Sequence, residues 1–139
     1  MGRILGIDYG AARTGIAISD PLGITEQGLE TINSGGSDKV ILRRIAEIVE
    51  NYDVEKFVIG NPLNMNGTES ERSKLTQEFI HKLNSRFNTI PVIQVDERLT
   101  TVEAHRTMND LNIKNRKKKD VVDTIAAVYI LEQYLNANS

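Results

Sequence analysis

Hydrophobic residues recur along this chain with two different periods, and the switches between them mark its elements. Arg3 to Asp8 is a nearly continuous apolar run, the mark of a buried strand, and the turn Gly10-Ala11-Ala12-Arg13-Thr14-Gly15 leads into a second strand, Ile16 to Ser19. Pro21 and Gly23 interrupt the pattern before a third extended stretch around Gln27 to Ile32, and Asn33-Ser34-Gly35-Gly36-Ser37 is turn sequence. Helical spacing follows: Val40, Ile41, Ile45, Ile48 and Val49 predict a helix capped by Ser37 and ending near Asn51. Lys56 to Gly60 reads as a fourth strand. The loop Asn61 to Thr68 comes next, then a helix whose apolar positions Leu75, Phe79, Leu83 and Phe87 are spaced by four. Pro91 to Val95 supplies the fifth strand. Thr100 and Glu103 have capping-box spacing and open a helix that carries Val102, Met108 and Leu111 inward. A last helix runs from Asp120 to about Leu135, with Val122, Ile125, Ala126 and Tyr129 on one face.

A three-strand meander followed by alternating helices and strands predicts an α/β fold, a five-stranded mixed sheet with helices on both faces. In such sheets the working site lies beyond the C-terminal ends of the parallel strands. The 139 residues, 40% hydrophobic and 26% charged, fit one domain spanning residues 1–139. The absence of cysteine excludes disulfides, zinc-thiolate sites, iron–sulfur clusters and thiol nucleophiles together. The N-terminal residues lack a signal-peptide apolar stretch. The most apolar run, Val121 to Leu131, is broken by Asp123 and too short to span a bilayer, so a soluble, intracellular protein without a membrane partner is expected.

The net charge of −2 conceals an asymmetry. Lys114, Arg116, Lys117, Lys118 and Lys119 lie within six positions, and outside them 12 basic residues face 19 acidic ones. The tract reads as a loop between the last two helices, either an anion-binding surface or a solvated linker.

Three acidic positions stand out. Asp8 ends an apolar strand, where a carboxylate must reach solvent or meet a cation, although an Asp before glycine also serves as a turn former. Asp96 and Glu97 end the last strand, and alternation lets only one of them enter a shared site. Asp123 sits among Val121, Val122, Ile125 and Ala126 and requires a partner, either a base such as Arg98 or a metal shared with Asp8 and Glu97; Asp120 is accounted for as a helix cap. His81 and His105 have no ligand spacing and belong on helix surfaces. Carboxylates without a His or Cys cluster favour Mg2+ or Mn2+, and a pair of such ions about 4 Å apart hydrolyses phosphodiesters. Tyr9, beside Asp8, is positioned to touch a base or sugar, whereas Tyr52, Phe57, Phe79 and Phe87 read as core.

Four motifs in order, Gly6-Ile7-Asp8-Tyr9-Gly10 with Thr14-Gly15-Ile16-Ala17, Val58 to Thr68, Asp96-Glu97-Arg98-Leu99-Thr100-Thr101 and Val122-Asp123-Thr124-Ile125-Ala126-Ala127, resemble the YqgF family over essentially the whole chain. Its members are described as Holliday junction resolvases or pre-16S rRNA nucleases with an RNase H-like fold. The resemblance implies metal-binding catalytic acids at Asp8, Glu97 and Asp123. It further implies a bacterial cytoplasmic nuclease acting on structured RNA such as pre-rRNA, or on branched DNA. Arg13, Asn64, Arg98, Lys114, Arg116, Lys117, Lys118 and Lys119 are the expected nucleic-acid contacts. A junction resolvase would also require a homodimer, since two strands are cut at symmetric positions. One departure is visible: enzymes of this fold commonly carry a further carboxylate near the end of the fourth strand, where this chain has Asn61 and Asn64.

Two other readings compete. An actin-like or sugar-kinase-like ATP-binding domain shares the Asp8-Tyr9-Gly10 start, but 139 residues supply one lobe and no second Asp-x-Gly. A non-catalytic nucleic-acid-binding or ribosome-assembly factor accounts for the basic tract and the missing fourth-strand acid, but not for acids gathered beside a polyanion.

Overall fold

The computed structural model describes residues 2–64, 66–96 and 115–137, with side chains from 122 onward in the last segment. Its strands are β1 (Arg3–Asp8), β2 (Arg13–Ser19), β3 (Glu26–Asn33), β4 (Val54–Asn61) and β5 (Val92–Asp96). They form one sheet in the order β3-β2-β1-β4-β5. The β1–β2 and β2–β3 pairs are antiparallel, and β1–β4 and β4–β5 are parallel. This is the expected meander followed by parallel strands. It brings the C-terminal ends of β1, β4 and β5 to one edge of the sheet.

Alternation along β1 sorts its side chains to two cores. Leu5 and Ile7 join Ile16, Ile18, Phe57 and Ile59 beneath helices α1 (Asp38–Asn51) and α2 (Glu71–Arg86). Ile4, with Ala17 and Val58, faces α3 (Asn115–Ala137) and its Ala127, Ile130, Leu131 and Leu135. Ser37 caps α1 as its sequence predicts, accepting from the Val40 N–H at 3.4 Å.

Two helices differ from expectation. In α2 the buried positions are Ser73, Thr76, Phe79, Ile80 and Leu83, while Leu75 is 48% exposed and Phe87 lies beyond the last turn as the cap. A strict four-residue step advances about 400° and drifts off any one face, so a buried stripe needs three-residue steps as well. The basic tract is also not a loop from Asn115 onward, because Arg116, Lys117, Lys118 and Lys119 lie in the first turns of α3. Lys and Arg are good helix formers, and no Gly or Pro interrupts residues 115–137 to separate the tract from the apolar stretch. Lys114 and the helix expected from Thr100, with His105, lie outside the described residues.

The contact that places α3 is made of missing side chains. Gly6, Gly15 and Gly28 stand on β1, β2 and β3 beneath this helix. A Cβ on Gly6 would lie 3.0 Å from the Ala127 carbonyl oxygen and from Leu131 Cβ. One on Gly15 would collide with the Asp123 carbonyl, and one on Gly28 with the Thr124 methyl. The helix therefore rests directly on sheet backbone. Gly15→Ala should force it outward and lower stability by about 1–3 kcal/mol, the usual effect of overpacking. A urea unfolding midpoint equal to that of the unaltered protein would show that the helix is not seated there.

Candidate active site

Asp8 closes β1 on the α3 side of the sheet, with the same parity as Ile4 and Gly6, and is only 6% exposed. Its register partner across the β1–β2 ladder is Gly15. Because the Asp123 main chain lies on Gly15, the two acids arrive at the same end and the same face of the sheet from positions 115 residues apart.

Neighbouring contacts hold Asp123 there. The hydroxyls of Thr124 and Thr31 are hydrogen-bonded at 2.6 Å, and Thr31 is the β3 partner of Gly15. Arg13 opens β2 on the same face, two residues before Gly15, and its Nε donates to Asp123 Oδ2 at 2.9 Å. Asp123 thus has a basic partner, as its surroundings demanded, and that partner is Arg13. The signal available in the sequence was parity: in a strand, residues 13 and 15 point the same way.

The second cluster at this edge faces the opposite side. Asn61 has the parity of Phe57 and Ile59, and its Oδ1 accepts from the Ser73 hydroxyl of α2 at 2.6 Å. Asp96, its β5 partner, shares the parity of Val92 and of Gln94, which is hydrogen-bonded to Gln77 of α2. Neither side chain is directed to the face that carries Asp8. Asn64 shapes its own exposed loop, donating from Nδ2 to Thr68 Oγ1 at 3.0 Å while its backbone N–H bonds the Thr68 carbonyl.

The reading of Tyr9 as a base or sugar contact is corrected. Its ring stacks on Phe79 at 4.5 Å and its hydroxyl donates to Asp38 at 2.7 Å, an acid that also receives Lys82 at 2.8 Å. Burial, and then the Asp38 carboxylate, hold the phenol protonated well above its ordinary range. Tyr9 is therefore a brace between β1, α1 and α2. Its carbonyl accepts from exposed Arg72 at 3.2 Å, which brings a guanidinium of α2 to the residue next to Asp8. Arg72 escapes a reading by motif because it sits in an ordinary polar first turn of a helix.

Glu97, Arg98 and Lys114 lie outside the described residues. Arg116 to Lys119 precede Asp123 by four to seven residues on the same helix, a rise of about 6–10 Å along its axis. His81 is exposed, as expected. Among the described residues no three His, Cys, Asp or Glu side chains group as a complete metal set. Asp8 and Asp123 bring two oxygen-donor acids to one face, a donor chemistry that suits Mg2+ or Mn2+ and not a thiophilic ion. No described helix is long and apolar enough to cross a membrane.

Comparison with known proteins shows the family and the fold. Residues 2–137 match the family model described as "RuvX: Holliday junction resolvase". A protein of Ruminiclostridium cellulolyticum named "Putative pre-16S rRNA nuclease" is 56% identical over 134 residues, covering 96% of this chain and 94% of the relative. A protein of the same name from Acetivibrio thermocellus is 56% identical over 135 residues, covering 97% and 96%. Among solved structures, Thermus thermophilus RuvC in complex with a Holliday junction substrate superposes with a TM-score of 0.59 at 14% identity. It covers 99% of this chain and 96% of that one, a likeness of fold. With the acids at the ends of β1 and of the first turns of α3, the resolvase-like sheet and a match over nearly its full length, this chain belongs to the RuvX family, the one its YqgF-type motifs resemble.

Proposed function

We propose that this protein is a divalent-metal-dependent nuclease that hydrolyses phosphodiester bonds, with Asp8, Glu97 and Asp123 as its catalytic and metal-binding acids. The observation that carries the reading is the convergence of buried Asp8 and of Asp123 on one face, through the Asp8–Gly15 register and the Asp123–Gly15 contact. Glu97 follows Asp96 at the end of β5 and completes the set by its place in the family motif. Bound Mg2+ or Mn2+, in a pair, would activate water and stabilise the leaving oxygen.

The chain's own residues supply the rest. Two acids beside a polyanion repel it unless cations intervene, so their placement on one face has no use in a simple binder and argues against the assembly-factor reading. The sheet and α3 hold Asp8 and Asp123 at a fixed spacing, so they need no rearrangement when substrate arrives. Arg116 to Lys119 offer cations along the helix that carries Asp123, with Lys114, Arg98 and Asn64 as further contacts. Phosphate contacts of this kind orient a substrate without reading its sequence.

The names of the relatives at 56% identity favour a pre-16S rRNA substrate, and we extend the proposal to processing at its 5′ end in the cytoplasm. The family description supports a second reading, cleavage of a four-way DNA junction, and that activity would call for a homodimer. Assaying both substrates with the same preparation decides between them.

Asp8→Asn, Glu97→Gln and Asp123→Asn should each reduce cleavage on the order of a hundredfold or more while retaining a cooperative thermal transition. Cleavage that persists in EDTA, or survives all three changes, would overturn the metal-dependent mechanism. Replacing Lys117, Lys118 and Lys119 together with Ala should weaken binding of all sequences alike and flatten the slope of log K against log salt by about 2–3, the counterion release of three phosphate contacts. An unchanged slope at low ionic strength would make the basic turns a solvated helix start only.

A further inference from the structure

Arg13 places a permanent cation against an acid assigned to metal binding. Its Nε lies 2.9 Å from Asp123 Oδ2, with the guanidinium side chain 31% exposed and Asp123 21% exposed. Guanidinium does not lose its proton in proteins, so this positive charge is fixed at every working pH. It stands on β2 two residues from Gly15, the residue that aligns with Asp8 and supports Asp123. The pair therefore lies on the face and at the sheet end that carry Asp8.

A structural role alone would leave this contact with little to do. A partly exposed ion pair contributes little to stability, whereas the fully buried Ile130 and Leu131 contribute much more to seating α3. Asp123 is held besides by its main-chain contact with Gly15 and by the Thr124–Thr31 hydrogen bond next to it. The acid would stay where it is without Arg13.

We propose that Arg13 is the resident counter-ion of Asp123, which a divalent cation must displace or tolerate in order to bind. The inference rests on the reading of Asp8 and Asp123 as metal ligands. Without metal, the guanidinium offsets the repulsion between acids crowded onto one face. When a cation arrives, Asp123 Oδ2 must exchange a charge-assisted hydrogen bond for coordination, and a doubly charged ion is brought beside a fixed positive charge. Both effects lower metal affinity. Once displaced, the fork of the guanidinium is left for a phosphate oxygen pair of the substrate, which ties filling of the site to the presence of nucleic acid.

The test is calorimetric titration of Mn2+ alone, without nucleic acid, into the full chain and its Arg13→Gln, Arg13→Met and Arg13→Lys variants. The Met variant retains the apolar stem and serves if the Gln variant does not fold. Both neutral variants should bind Mn2+ about three- to tenfold more tightly than the unaltered protein, and Arg13→Lys, which keeps the charge, within about twofold of it. Their melting temperatures should be lower without metal and rise more on adding Mn2+. Tight binding by the neutral variants with none by the unaltered protein would be the strongest form of the expected result. Equal affinity overturns the counter-ion role and leaves the metal reading intact; weaker binding by the neutral variants also overturns it, making Arg13 a positioning residue for Asp123. No binding by any of the four proteins overturns both the inference and the metal reading.

Discussion

The close seating of α3 on the sheet is the constraint on which the rest of this structure depends. Helices normally rest on a layer of side chains, and here Gly6, Gly15 and Gly28 remove that layer along the line where the helix crosses β1, β2 and β3. Burial of Ala126, Ala127, Ile130, Leu131 and Leu135 supplies the attraction, while the glycines set the distance. An acid at position 123 then comes down at the end of the strand that carries Asp8. With larger residues in the strands, the same two acids would stand a side-chain layer further apart.

That arrangement has an electrostatic consequence, because two acids gathered on one face repel each other unless cations intervene. The chain sets Arg13 of β2 against Asp123, and Arg116 to Lys119 stand one to two turns earlier in the same helix. Among the described residues, Asn61 and Asp96 at this edge are kept apart from the face that carries Asp8. Asn61 bonds Ser73, and Asp96 shares the parity of the residues that face α2, so both belong to the face opposite Asp8.

The hydrophobic runs revealed all five strands, and Ser37 the start of α1, because both signals act within a few residues. Asp8 and Asp123 were legible as acids in apolar surroundings, where a carboxylate needs a reason to be present. The glycine seat was not, since a glycine in a strand looks the same whether it turns the chain or makes room for a helix more than 90 residues later. Arg13 and Asp123 are 110 residues apart, and nothing local links them. The basic tract misled for a different reason: a run of like charge signals solvation, yet Lys and Arg extend a helix well when the next turns are anchored. In α2 a row spaced by four concealed the buried Ser73 and Thr76, whose polar side chains bond Asn61 and the Arg72 carbonyl.

The position of α3 at the far end of the described chain also bears on how the protein comes into being. Its contacts with β1, β2 and β3 are among the longest-range in the molecule, and such contacts form late because the intervening chain must first be ordered. On a ribosome, the sheet and its α1–α2 layer can be complete while the opposite face, with Ile4, Ala17 and Val58, still waits for cover. The strand end that carries Asp8 is thus made first, and Asp123 joins it only when α3 emerges. A nascent chain interrupted before that point would lack the cover that α3 gives to Ile4, Ala17 and Val58, and such exposed apolar surface is what makes partly folded chains prone to aggregate.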